Sequence, residues 1–456
     1  MAIQRSGVAW ISLFASVAAF MTACGSPSGD APPTAPPDRV PLVRAIGGTG
    51  PAVTAADPAS ARQGTVTLDV RITGSGFDSG SRASWQLNGV AYPKIVVNRT
   101  TYVSSTAVIA NITVAADAAA ITYDIAVVTG TGKKGIGAEM FTVTYATAVP
   151  GLTEGRAIND AGQIVGQNGS SVVIVDPVAG AVSVASNALA YDVDRNGRAI
   201  VGKDADGDAV IWTSASGASG PWAATKLPAT GIGTVRSIAS DAAGDAVLLS
   251  GSNISASGQR IPTVWSRTAT GWQKTLLNVP AGAAGAWGED INTRGQVAGM
   301  DGSGCCSAFY WDSLGAATVL TGLSGARNSS AWAINGDGTI IVGLSGTSAV
   351  LWRRTLTAGT YGSWSSAIVL ENTTTLCGRN GSSVAYDVNS AGTVVVGQSC
   401  GIAVAWRLSG GAVTSRTVLQ GLGPPNQSLA WGVNDLSSPL ATGSAKTSTG
   451  VMFLGF

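Results

Sequence analysis

Seven copies of one short pattern limit what this 456-residue chain can fold into more than any other feature. The clearest copy spans residues 331–353, AWAINGDGTIIVGLSGTSAVLWR. Residues 331–335 are a short apolar run, 336–338 punctuate a tight turn, and 339–343 form a β-branched run closed by Gly343. A second turn leads into 349–352. The spacing predicts three strands joined by hairpins, with the asparagine tolerating the turn and the glycine taking the positive φ of a bulged link.

The first strand and its turn recur at Ile158-Asn159, Val193-Asp194, Ile238-Ala239, Ile291-Asn292, Ile334-Asn335, Val388-Asn389 and Val433-Asn434. The second strand is expected to end at Gly166, Gly202, Gly251, Gly299, Gly343, Gly397 and Gly443. The third ends in an aromatic at Trp212, Trp265, Trp311, Trp352 and Trp406, with Val175 and Leu454 taking that place in the first and last copies. A fourth strand follows six copies, as at 317–323 and 416–422. A period of some forty to fifty residues with four short strands per repeat predicts a seven-bladed β-propeller. The last copy stops after its third strand, while an orphan strand-like segment, 147–152, precedes the first. That segment is expected to complete the last blade and close the ring, with Pro150 tolerated on an outer edge. An open solenoid would leave both ends unexplained.

Ahead of the repeats, residues 1–7 carry one cation, Arg5, and 8–20 are a mostly apolar run of signal-peptide length, short for a membrane span. Residues 21–25, MTACG, resemble the lipobox of bacterial lipoproteins. The resemblance implies a signal peptide over 1–23 and lipidation of Cys24. No aspartate follows Cys24, which by the same resemblance favours the outer membrane, at the cell surface or the periplasmic face. Acyl chains contribute roughly 0.8 kcal/mol per buried methylene, enough for firm anchoring when several are attached. Residues 24–45, rich in Pro, Ser and Ala, read as a semi-rigid tether.

Residues 46–146 alternate apolar and polar positions between glycine turns, which predicts a β-sandwich. Residues 64–77, GTVTLDVRITGSGF, read as one half-buried strand and its corner. With Asp57-Pro58, the strand 105–114, and 124–129 closed by 141–143, this stretch resembles the immunoglobulin-like IPT/TIG fold. Bacterial domains of that family mostly act as spacers or interaction modules, so the resemblance implies no chemistry. The repeats over 147–456 resemble the bacterial extracellular HAF repeat, on the Ile-Asn turn, the Ile-Val-Gly strand and the aromatic-ended strand at 157–166 and 331–352.

Composition excludes several functions. With 27 Lys and Arg against 26 Asp and Glu, the chain lacks the clustered cations that nucleic acid requires. It contains no histidine, the commonest catalytic base and metal ligand. Apart from Cys24 there are four cysteines, an even number that suits an exported protein. Cys377 with Cys400, leaving Cys305 and Cys306 as a vicinal pair, is the expected pairing; the two crossed pairings and a four-cysteine metal site remain open, though no Cys-x-x-Cys spacing supports the last. Asp204, Asp206 and Asp208 (DADGD) form a weak calcium candidate, set against a solvated acidic turn because no downstream bidentate glutamate follows.

The candidate binding surface is positional. Two residues before each first-strand Ile or Val stand Arg156, Tyr191, Arg236, Glu289, Trp332, Tyr386 and Trp431. At the leading end of the innermost strands they are expected to surround a channel mouth, and their changing chemistry against a constant background is what contact surfaces use. The alternative is that the aromatics wedge between blades. The sequence thus reads as a monomeric display device: a surface-anchored, non-catalytic protein binding an extracellular glycan or protein, without cofactor. Two other readings compete. One is a hydrolase or lyase acting on extracellular polysaccharide, with Glu289 or Asp290 paired to Asp192 or Asp387; the other is a purely structural envelope component.

Overall fold

The computed structural model describes residues 50–115, 118, 121–144, 146–229, 232–302, 307–371, 381–419, 428–445 and 449–454. The expected leader, Cys24 and tether, and Cys305, Cys306 and Cys377, lie outside the described residues. Those described are all β, apart from one 3-10 turn at Gly217–Ser219.

The first unit is a sandwich of two sheets. One orders its strands Ala52–Asp57, Leu68–Ser75, Ala107–Val114, Ile95–Ser104; the other orders Ser60–Arg62, Lys134–Thr144, Thr122–Val128, Arg82–Leu87, Val90–Ala91. Alternate residues such as Val70, Ile72, Ile112, Ile125 and Phe141 meet in a single apolar core, where Trp85 packs edge-on against Phe141 at 5.3 Å between centroids. The alternation read from residue 64 onward starts late. Thr67 has φ 52°, so the extended run begins at Leu68 and leaves Val66 66% exposed. At the following corner a Cβ on Gly74 would lie 1.9 Å from the Ala52 carbonyl oxygen, which explains the glycine.

The repeats form seven four-stranded antiparallel sheets in chain order. Each first strand lies beside the first strand of the next sheet, and the succession returns from the seventh to the first. Every junction between consecutive sheets has its own apolar cluster. Between the fourth and fifth, for example, Ala298, Tyr310 and Leu320 meet Ala331, Ile341 and Trp352; between the seventh and first, Leu440 and Met452 meet Ile158 and Ile164. Each sheet is therefore buried on both faces, and the third-strand tryptophans turn toward the preceding sheet. Their indole N–H groups tie down the link that leads into their own sheet: Trp265, Trp311 and Trp352 donate to the carbonyls of Pro228, Asn278 and Thr321, each at 2.8 Å.

The seventh sheet is completed from the front of the domain. Ala146–Ala148 pairs with Thr449–Leu454, with Ala146 opposite Phe453 and Ala148 opposite Val451, and Val149 N–H donates to Gly450 O at 2.9 Å. The opening segment, expected to set Val149 beside Phe453, does pair with the last strand, but Ala146 is the residue opposite Phe453, and Val149 lies beside Gly450.

Two expectations need correction, and the turn reading holds with an added role for the asparagine. The second strands do not end at their glycines but run past them, as in Ile340–Ser345 around Gly343 and Val394–Ser399 around Gly397. The aromatic position of the last copy belongs to Phe453, not Leu454. Phe453 pairs with Ala441, two residues before Gly443, as Trp352 pairs with Ile341, two before Gly343, and Phe453 is fully buried. The turn asparagines act through their side chains. Asn335 Oδ1 accepts the N–H groups of Thr339 and Ile340, both at 2.9 Å, while the positive φ falls on the glycine, 72° at Gly338. Asn159 Nδ2 and Asn292 Nδ2 each reach a carbonyl of the next sheet, Asp194 O and Asn335 O, both at 3.1 Å, and Asn434 Nδ2 closes the circuit on Asn159 O at 3.2 Å.

Candidate functional site: the inner wall of the seven sheets

Pairing between the first and second strands slips by one residue in every sheet, always at the same place. The slips fall between Gly155 and Ala157, Ala190 and Asp192, Val235 and Ser237, Gly288 and Asp290, Ala331 and Ala333, Ala385 and Asp387, and Ala430 and Gly432. The skipped residues are Arg156, Tyr191, Arg236, Glu289, Trp332, Tyr386 and Trp431. All seven candidates are thus the extra residue of a β-bulge, a device that re-aims one side chain out of the regular alternation.

The bulge explains the repeated glycine. A Cβ on Gly166, Gly202, Gly251, Gly299, Gly343, Gly397 or Gly443 would lie 1.8–2.0 Å from the carbonyl oxygen of the bulged strand opposite it. Only a residue without a side chain lets that carbonyl pass.

The seven side chains group into two arcs. On the fifth, sixth, seventh and first sheets, Trp332 packs edge-on to Tyr386 at 5.5 Å, Tyr386 lies 4.4 Å from Trp431, and the Arg156 guanidinium sits 4.9 Å over Trp431. Glu154 binds both ends of that last contact, accepting from Trp431 Nε1 at 2.9 Å and pairing with Arg156 at 3.1 Å. On the second, third and fourth sheets, the Arg236 guanidinium lies 4.4 Å over Tyr191 and 5.4 Å from Trp287, and its ion pair with Glu289 spans 3.9 Å. Arg260 covers the ring of Trp287 at 4.4 Å. Both arcs combine aromatic rings with charge: three rings end at the Arg156–Glu154 pair in one, and Tyr191 and Trp287 lie under Arg236 and Arg260 in the other. The sequence reading did not single out Glu154, Trp287 or Arg260, since none occupies the repeated position.

The candidates do not form an exposed rim. They stand in mid-strand, and Glu289 and Tyr386 are buried while Arg156, Tyr191, Arg236, Trp332 and Trp431 are partly exposed. The aromatics pack against one another, Tyr386 buried between two partly exposed tryptophans. Burial raises the Glu289 carboxyl pKa, opposed by Arg236 and Arg260 and aided by Asp290.

One residue further on, the sheets carry Ala157, Asp192, Ser237, Asp290, Ala333, Asp387 and Gly432. Aspartate alternates with a small residue. Each aspartate accepts the N–H of its own following residue and, across the gap left by the small neighbour, an N–H of the next sheet: Asp192 from Val193 and Ile238, Asp290 from Ile291 and Ile334, Asp387 from Val388 and Val433, all at 2.8 Å. Ser237 Oγ adds a bond to Asp290 at 2.5 Å. Burial, against those N–H bonds, pushes Asp192 up to about 7, with Asp290 adding repulsion, and raises Asp290 and Asp387 as well. These carboxylates are staples between sheets. The pairing of Glu289 or Asp290 with Asp192 or Asp387 as acid and base finds the aspartate oxygens already engaged.

Asp204, Asp206 and Asp208 do converge, but on a cation the chain supplies. Lys226 Nζ lies 3.2, 3.0 and 2.8 Å from their carboxylates, and Asp204 Oδ1 also accepts the N–H groups of Asp206 and Asp208. Their carboxylate oxygens lie within 4.8 Å of one another, close enough to share a cation, and in this structure Lys226 takes that place. Cys400, at φ 54° in the turn after Ser399, is disulfide-bonded; its pairing with Cys377, and any pairing of Cys305 with Cys306, lies outside the described residues.

No family model matches the chain, and no curated protein does. Among solved structures it is similar to apo AztD from Citrobacter koseri, with 10% identity over 82% of this chain and 96% of that one and a TM-score of 0.32, a likeness too slight to bear on function.

Proposed function

We propose that this chain is an exported, lipid-anchored binding protein. In this reading Cys24 carries the anchor at the outer membrane, the Pro-rich segment is a tether, the IPT/TIG-like immunoglobulin module is a spacer, and the HAF-like repeats are a seven-bladed β-propeller that presents its inner wall to an extracellular glycan or protein. The observation that carries it is the bulge in every sheet. A repeat that keeps its glycine and its apolar pattern in every copy, yet re-aims at one position a side chain that is Arg, Tyr, Glu or Trp from copy to copy, places large and chemically varied groups at the same point of each sheet. Partly exposed indoles beside guanidinium and carboxylate groups suit a ligand with flat apolar faces and polar edges, such as a saccharide or peptide. A non-catalytic role is supported by the staple bonds that occupy Asp192, Asp290 and Asp387.

The test is a glycan and peptide array probed with the mature chain, followed by titration of the hits against Trp332→Ala and Trp431→Ala. Each substitution is expected to weaken binding about tenfold. Undiminished binding in both variants would remove the inner wall from consideration.

A further inference from the structure

The fifth sheet departs from the other six. Between its third strand, Ser348–Arg353, and its two-residue fourth strand, Ile368–Val369, the chain makes an extra hairpin, Leu356–Thr357 paired with Thr360–Tyr361. Ala358 and Gly359 have φ 49° and 82°, the left-handed pair of a tight two-residue turn. Insertions into one copy of a repeat fall on surface loops and often mark a binding face.

The hairpin holds an arginine in place from several sides. Arg354 has its guanidinium 3.8 Å from the centroid of Tyr361, 4.3 Å from Trp364 and 4.5 Å from Tyr310. Its Nε donates to Gly338 O at 2.8 Å and an Nη donates to Tyr310 Oη at 2.9 Å. Beside it the exposed Arg353 donates to Gly410 O at 3.0 Å, running along a Gly410-Gly411 turn. A cleft of about 560 Å³ opens between the hairpin and the sixth sheet, with both guanidinium groups and the hydroxyls of Thr339, Thr355, Ser363 and Thr393 in its wall. Across Arg354 and Ser363 a second hollow of about 310 Å³ is lined by Tyr310 and Trp364. Neither cleft is lined by a carboxylate; that of Asp337, next to the larger one, accepts from Thr339 Oγ1 at 2.5 Å. The indole Nε1 of Trp364 is buried without a hydrogen-bond partner among the described residues.

We propose that these adjoining clefts bind an acidic oligosaccharide, its carboxylate on the Arg353 and Arg354 guanidinium groups and successive sugar rings in the two hollows. The chemistry requires each part. Two cations without an anion in the wall leave positive charge for the ligand to neutralise, and an arginine fixed by three aromatic rings meets a carboxylate without losing side-chain freedom at that moment. Hydroxyl-rich walls exchange hydrogen bonds with sugar hydroxyls. Two hollows in series, the larger within the size range of small-molecule sites, take more than one ring. This site is separate from the inner wall and does not depend on it.

The test is calorimetric titration of the mature chain at low salt with tetramers of galacturonate, glucuronate and mannuronate, each beside its neutral methyl ester. At least one acid is expected to bind at least tenfold more tightly than its ester. Arg353→Ala, which leaves the Arg354 cage intact, and Arg354→Lys, which keeps the charge but not the planar fork, are each expected to weaken binding tenfold or more, whereas Val178→Ala, on an exposed turn of the first sheet, leaves it unchanged. Absence of binding by all three acids, equal binding of acid and ester, or wild-type affinity in both arginine variants overturns the proposal. So does inorganic sulfate binding as tightly as the tetramers, since that would reduce the site to an anion hole.

Discussion

Asp387 on the sixth sheet accepts the backbone N–H of Val433 on the seventh at 2.8 Å, and Gly432 beside that amide leaves the carboxyl room to reach it. The same reach joins Asp192 to Ile238 and Asp290 to Ile334. Three joints between sheets therefore depend on an acid held near others of its kind.

Their protonation makes the domain sensitive to pH. The folded pKa of Asp192, pushed up to about 7, lies above the unfolded value of about 3.9, so the folded state holds a proton that the unfolded state has released. The stabilising contribution is complete below about pH 4 and is lost as pH rises through about 7. Asp387 and Asp290, raised in the same direction, act with the same sign. Asp192→Asn keeps a neutral group there at every pH. In urea titrations the stability advantage of the wild type over this variant is expected to be largest at about pH 4 and below and to shrink by roughly 4 kcal/mol by pH 8; a gap that stays constant with pH would contradict the account.

Gly343→Ala should be far costlier than an alanine in a strand usually is. The added methyl would lie 1.9 Å from Ser330 O, and that oxygen belongs to the backbone that shapes the bulge. A loss of about 3 kcal/mol or more is expected. Gly359→Ala, at an open turn position with φ 82°, should cost about 1 kcal/mol through its backbone alone. Similar costs for the two would show that the bulge does not require glycine.

Phe453→Ala removes the aromatic that fills the junction between the sixth and seventh sheets and borders the strand Ala146–Ala148. A fully buried phenylalanine truncated to alanine typically costs about 3–5 kcal/mol. Chemical denaturation and hydrogen exchange should show that cost together with faster exchange at Val149 and Val451. Unchanged exchange at Val149 would mean that the joining of the two ends does not rely on this ring.

Cys400 should be found linked to Cys377 when the unreduced protein is digested and its peptides weighed. A Cys400 peptide joined to Cys305 or Cys306 would replace the expected pairing with a crossed one.

Much of this was legible in the sequence because a repeat prints its constraints several times over. The all-β class, the seven copies and the pairing of the opening segment with the last strand follow from counting strands and noticing one too many at the front and one too few at the back, whereas the register, with Ala146 rather than Val149 opposite Phe453, does not. The glycines were visible but their reason was not: a bulge shifts pairing between two strands, and Gly343 looks the same whether it ends a strand or lets Ser330 O pass. The register that sets Phe453 in place of Leu454 is likewise a matter of pairing, and two adjacent apolar residues offer no choice by composition. Burial of Tyr386 between Trp332 and Trp431 depends on neighbours some fifty residues away, beyond any local pattern. The Arg354 cage draws Tyr310 from the fourth sheet and Tyr361 from the hairpin, partners that no periodicity brings together.

Pairing of Ala146–Ala148 with Thr449–Leu454 also fixes an order of events during synthesis. The opening strand leaves the ribosome long before its partner exists, and until then water answers its hydrogen-bonding groups. A chain that stops early cannot settle for a smaller version of the same object, because its final sheet would lack the residues that the waiting strand was made to meet.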